Sequence, residues 1–235
     1  MALPKVKHSI HEFKIPSTSK KQTFRQFLVR EEKILLMAKS SEDSADIFRA
    51  MKQIVNNCCM DDSFDIDKLS VFDLEYLFLK LRSISVSNIV KVSYRDNDDE
   101  RIYDFEIDLD KIEVEFPENV EKVIKITDSM GIVMKWPAAS IFDDKDYFKT
   151  NSAYYELILR CIDKIYDGED IYEASDYSNK DVEEFLDDCN VATLEKIQAF
   201  MSNTPRLYHK LEYKNSNGKD RVIELTSLTD FFTLG

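Results

Sequence analysis

Two glutamates stand side by side in the stretch FLVREEKILLMA (residues 27–38): Glu31 and Glu32, flanked by Arg30 and Lys33. Paired carboxylates serve as general acid and base when they converge on one substrate atom. Adjacent residues on a helix point about 100° apart, so these two diverge. Carboxylates in a first helical turn stabilise its positive end, and that is the role the stretch predicts for them. The same reasoning covers Glu183–Glu184 and Asp187–Asp188. His8 and His11 lie three residues apart with no third ligand evident, and His209 stands alone, so no metal site is expected. Cys58, Cys59, Cys161 and Cys189 form no CxxC pair, which suits buried free thiols in a reducing compartment. Two acidic stretches begin like calcium loops, at Asp61 and at Asp96. The first has Ile66 where glycine is needed and Phe72 where glutamate is needed, and the second has Arg101 at the glycine position. Both fail the EF-hand pattern. Gly131, Gly168, Gly218 and Gly235 are too far apart for a phosphate-cradling loop. The expectation is a chain with no catalytic residues, no cofactor and no metal, and not an enzyme.

The elements carrying these residues follow from periodicity and punctuation. Residues 1–28 read as an extended N-terminal arm. They hold Pro4, Pro16 and Ser17–Ser19, show no helical period, and with Arg30 concentrate Lys5, Lys7, Lys14, Lys20, Lys21 and Arg25. The spaced apolar residues Leu3, Val6, Ile10, Phe13 and Ile15 suit a strand laid on another surface, of this chain or of a partner. Phe24, Phe27 and Leu28 sit just before the first helix. With Phe13 and Ile15 they are the candidate partner-binding residues.

Helical signals begin near Arg30, with Ile34, Leu35 and Ala38 on one stripe, and continue over 44–57, where Ile47, Met51, Ile54 and Val55 share a face. A third helix is predicted over 70–85, with Ser70 as N-cap and Leu74, Leu77, Phe78 and Leu81 buried. From Asn88 the pattern alternates. NIVKVSYR and RIYDFEIDL flank the turn DNDDE as a hairpin, and IEVEF, VIKIT and GIVMKW extend the β-layer. Helices are expected again over 152–166, with Tyr155, Leu159, Ile162 and Ile165 on one face, and over 178–189 and 191–203. A closing hairpin turns at NSNGK, where Gly218 supplies positive φ, and a helical turn follows near 227–232. Blocks of helices and strands without strict alternation predict an α+β fold: a helical N-terminal part, a central antiparallel β-layer, and a helical C-terminal part ending in a β-hairpin. The division expected is 1–28, 29–137 and 138–235, with the last two parts able to pack as one unit. One internal echo is visible: Val92-x-Tyr94-Arg95-Asp96…Glu100-Arg101-Ile102 resembles Leu211-x-Tyr213-Lys214-Asn215…Asp220-Arg221-Val222, with the second turn one residue longer.

The 235 residues carry a net charge of −13, and 43% are hydrophobic. That supports a real core and disfavours nucleic-acid binding outside a local basic patch. The basic arm on an acidic body reads better as a protein-docking strand. No run approaches the roughly 20 apolar residues of a membrane span, and no signal peptide is evident. A soluble, intracellular protein is expected.

Several long stretches resemble the baseplate hub protein family of T-even-type contractile-tailed phages. They are LPKVKHSIHEFKIPSTSKKQTFRQFLVREEKILLMA, LSVFDLEYLFLKLRSISVSN, VSYRDNDDERIYDFEIDLD and YKNSNGKDRVIELTSLTDFF. The resemblance spans nearly the whole chain, with residues 138–190 contributing least. It implies a late phage protein without enzyme activity: a chaperone-like hub assembly factor binding the tape-measure or other hub proteins in the host cytoplasm. The alternative it leaves open is a stoichiometric subunit of the hub in the virion baseplate. Self-association into a homo-oligomer is a further open option.

Overall fold

The computed structural model describes residues 6–40, 44–143 and 153–231. Leu3 and Lys5 of the arm, the end of the first predicted helix, the stretch 144–152 and the end of the last helical turn lie outside the described residues. The fold is α+β, with antiparallel strand pairing throughout the described sheets.

The chain forms two compact units, residues 1–115 with 206–235 and residues 116–205. This differs from the three-part division expected. Strand β7 (Met130–Met134) pairs with β8 (Ile162–Asp167), so a cut at 137/138 would split one sheet. Strand β10 (Arg206–Lys214) returns beside β5 (Glu113–Glu115), with Arg206 opposite Glu115. Unit 2 is thus an insertion between two strands that pair with each other.

In unit 1, residues 10–25 are not a free extended arm. They form a hairpin of β1 (Ile10–Lys14) and β2 (Lys21–Arg25). Helices α1 (Val29–Lys39), α2 (Ser44–Cys58) and α3 (Val71–Ser85) follow. In α3, Asp73 accepts the N–H of the N-cap residue Ser70. Phe72, Leu74, Leu77, Phe78, Leu79 and Leu81 are all buried, so α3 is apolar on more than one face and lies in the core. Strands β3 (Ile89–Arg95) and β4 (Ile102–Asp108) form a second hairpin. Strand β11 (Asp220–Leu225) joins β10 and β5 in a three-stranded sheet, and α7 (Leu228–Phe231) follows it.

In unit 2, β6 (Val123–Lys125), β7, β8 and β9 (Asp170–Glu173) form a four-stranded sheet in that order. Helices α4 (Ala153–Arg160), α5 (Asn179–Asp187) and α6 (Val191–Ser202) supply the rest of its core. That core joins Ile124, Ile132 and Met134 of the sheet to Ile158, Val182, Ile197 and Phe200 of the helices. The expected helix over 152–166 stops at Arg160, and Ile162 and Ile165 lie in β8 instead. The apolar spacing there fits a helix, but Ile162, Ile165 and Tyr166 also favour a strand. Pairing with β7 on one side and β9 on the other decides the contest. Gly168, at φ 62°, makes the turn into β9.

Candidate functional site

The two glutamates that open the question separate as helix geometry requires. Glu31 is fully buried, while Glu32 is partly exposed. The Glu31 carboxylate accepts the Leu28 N–H at 2.9 Å, which caps the start of α1. It also takes Arg25 Nη2 at 2.8 Å and Arg30 Nε at 2.8 Å. Arg25 donates further to the carbonyls of Gln26 and Asn57 and lies 3.6 Å from Cys58 Sγ. Burial works against ionisation of Glu31, but the two guanidinium groups and the Leu28 N–H outweigh it and hold the carboxyl at about 2. Burial pushes the Cys58 thiol up to about 11, so the cysteine is an inert packing group. This arrangement ties β2 to α1 and to the end of α2. It leaves no carboxylate oxygen free for chemistry.

A second network joins the two hairpins that echo each other in sequence. The turn after β3 supplies acceptors and the turn after β10 supplies donors. Tyr213 donates its hydroxyl to Asp96 at 2.7 Å, and Arg221 Nε reaches the same oxygen at 3.1 Å. Asp98 accepts from Asn215, Asn217 and Lys219. Asp99 accepts from Tyr103 and from the Ser216 N–H and hydroxyl. Tyr103 and Tyr213 pack with ring centroids 4.7 Å apart. Hydrogen bonds from Lys219, Asn217 and Asn215 hold the Asp98 carboxyl at about 2. The acidic turn DNDDE is therefore a clasp between hairpins. The echo needs one correction. Arg95 pairs with Ile102 and Lys214 with Asp220, so the second turn is one residue shorter, not longer.

The candidate partner-binding residues are drawn into unit 1. Phe24 is 0% exposed and packs edge-on against Phe64 at 5.7 Å. Phe27 packs at 5.7 Å against Phe78 of α3 with the rings tilted by 43°, and its N–H donates to Ser85. Ile15 is buried, while Phe13 and Leu28 are partly buried. Their apolar surface is largely covered within the unit. Asp61 accepts the Thr23 N–H and Asp73 the Ser17 N–H, which fixes the hairpin from two more sides. Sequence reasoning missed these long-range partners. The only local signal was a lone arginine and glutamate six residues apart across a strand-to-helix boundary.

What remains on the surface differs between the units. Unit 2 holds 19 acidic residues against 9 basic ones, a net charge of −10, and unit 1 carries −3. Exposed apolar side chains include Val29, Leu36 and Met37 on α1 and Ile171, Tyr172 and Tyr177 at and after β9. Among the described residues, no group of three or more His, Cys, Asp or Glu side chains could hold a metal ion.

A family model described as T4 bacteriophage base plate protein matches residues 8–233. The chain belongs to this family. Neither a curated protein nor a solved structure matches it. The match covers both units, so the acidic insertion is part of the base plate protein rather than an appended module. A base plate protein interacts with other base plate proteins, so its exposed surfaces are candidate functional regions. No helix among the described residues is long and apolar enough to cross a membrane.

Proposed function

We propose that this base plate protein is a non-enzymatic, chaperone-like assembly factor for the baseplate hub. It binds the tape-measure protein or another hub protein in the host cytoplasm before the particle is complete. The observation that carries the reading is the separation of charge within a base plate family member: a near-neutral unit 1 and a unit 2 at −10. A strongly charged unit keeps an aggregation-prone partner soluble while apolar surface elsewhere engages it. The non-enzymatic part of the reading is supported by how two of the most strongly shifted carboxylates are used. Glu31 and Asp98 are each held by donors of the fold itself.

The experiment is a pull-down with the purified chain against separately expressed tape-measure and hub proteins, followed by a solubility assay of each captured partner. Capture that raises partner solubility supports the assembly factor. Capture only by assembled hub subunits, with no gain in solubility, favours the second reading, a structural subunit of the virion hub. The exposed Leu36 and Met37 on α1 are the surface to alter first. Replacing both with serine is expected to lower capture without unfolding the chain.

A further inference from the structure

Several strand edges are open among the described residues, and those of β1 and β9 are two of them. In unit 1, β1 pairs only with β2, whose other side is taken up by a bridge from Phe24 to Cys59. In unit 2, β9 ends the four-stranded sheet. The two edges are opposite in charge. Residues 167–176 hold Asp167, Glu169, Asp170, Glu173 and Asp176 and no lysine or arginine. Residues 7–14 hold Lys7, Lys14, His8 and His11 against one acid, Glu12, which is itself paired with Lys21 across the hairpin.

Both edges also expose apolar side chains. Val6 and Ile10 are 75% and 62% exposed beside and on β1, and Ile171 is 64% exposed on β9. An open apolar edge is a template for a further strand, and natural edges commonly blunt it with lysine or proline. Strand β9 carries neither. What it carries instead is selective. Two β9 edges meeting antiparallel would bring the acids of both copies together, Glu173 of each being paired with Lys164 of its own sheet and Asp170 not, and like charges set opposite one another destabilise a sheet. A basic edge meets no such penalty.

We propose that β1 of one copy adds to β9 of a second copy, extending its neighbour's unit 2 sheet by one strand. Lys7 and Lys14 then lie among the acids flanking β9, and Ile10 and Ile171 lose their exposure to water. The contact is heterologous, because each copy offers a different surface. It therefore propagates head to tail, into a ring if the rotation between copies closes and into an open filament if it does not. Strand β9 has only four residues, so the ladder is short, charge attraction supplies much of the affinity, and salt weakens it. The contact serves an assembly factor and a virion subunit alike and does not rest on the choice between them.

Sedimentation velocity on the full chain over a concentration series tests this. The weight-average mass is expected to rise above 27.5 kDa with concentration at low salt and to fall back at high salt. The variants Glu169→Lys/Asp170→Lys and Lys7→Glu/Lys14→Glu should each lose association alone, and mixing them should restore it. Circular dichroism checks that both fold. If either does not, a peptide of residues 6–16 added to the wild-type chain decides the matter: it lowers the mass to that of the monomer if β1 is the contact. A monomer at every concentration, association that survives both variants, or a peptide without effect would overturn the proposal.

Discussion

Unit 1 and unit 2 place their charges in opposite ways. Arg25, Glu31, Lys52, Asp73, Lys80 and Asp96 are all buried, and all belong to unit 1. Unit 2 carries far more net charge, yet Thr193 is its only buried polar side chain among the described residues. In unit 1 the buried charges join segments distant in sequence: β2 to α1, the hairpin tip to α3, and one hairpin turn to the other. Lys80 shows the pattern, reaching from α3 to the carbonyls of Leu109 and Asp110. In unit 2 an apolar core does the joining, and its charge faces outward. The lesson is that charge specifies the fold in unit 1, whereas in unit 2 it is left available for solubility and recognition.

The comparison predicts a graded set of effects. The largest belongs to Glu31→Ala. It strands Arg25 in the core, and breaking a buried pair from one side costs about 3–5 kcal/mol. Urea denaturation should show the midpoint falling. If this variant were as stable as the wild type, the claim that charge specifies unit 1 would fail. Next comes Gly131→Ala in unit 2. The new Cβ would collide with the Tyr166 hydroxyl and would lie 2.6 Å from the Ile124 carbonyl oxygen. Forcing a methyl into such a site costs about 1–3 kcal/mol, measurable as a lower melting temperature. Tyr213→Phe removes one hydrogen bond of the clasp and should cost about 1 kcal/mol by the same urea assay. The smallest effect is expected from Lys180→Ala, which breaks an exposed pair with Glu184 on α5. Exposed helix pairs contribute about 0.3–0.5 kcal/mol.

pH sharpens the same contrast, because the carboxyls with the largest shifts among the described residues lie in unit 1. The Glu31 and Asp98 carboxyls are held at about 2 in the fold, below their unfolded values. Their contribution is complete above the unfolded carboxylate range of roughly 4–4.5 and is lost as pH falls towards 2. Glu75 works the other way. Burial, with Asp230 nearby, lifts its carboxyl to about 7 despite a backbone hydrogen bond from Leu228. The fold therefore loses stability as pH rises from roughly 4.5 to 7, where only the unfolded chain is ionised at this residue. Glu75→Gln should flatten that part of a stability–pH curve.

Much of the fold was legible because its signals are local. Ser70 and Ser178 mark the helix starts that the structure shows at α3 and α5, and alternation with a polar turn marks both long hairpins. The strands β8 and β9 were hidden. The spacing of Tyr155, Leu159, Ile162 and Ile165 continues a helical stripe, and only sheet pairing overrides it. The division into units was hidden too, since the pairing of Arg206 with Glu115 spans the whole of unit 2. The arm was half legible. Its strand character was right for 10–14 and 21–25, but the partner of Arg25 was not. An ion pair between a strand and the next helix leaves no period to read. The surface was least legible: composition shows the charge, and only the fold shows that most of it belongs to the inserted unit.

The reading of this base plate protein as a transient assembly factor meets its most direct test in quantitative mass spectrometry of purified virions beside infected-cell lysate. The account predicts a chain abundant in lysate and absent from particles. A constant copy number per particle would contradict it and make the chain a structural subunit of the baseplate.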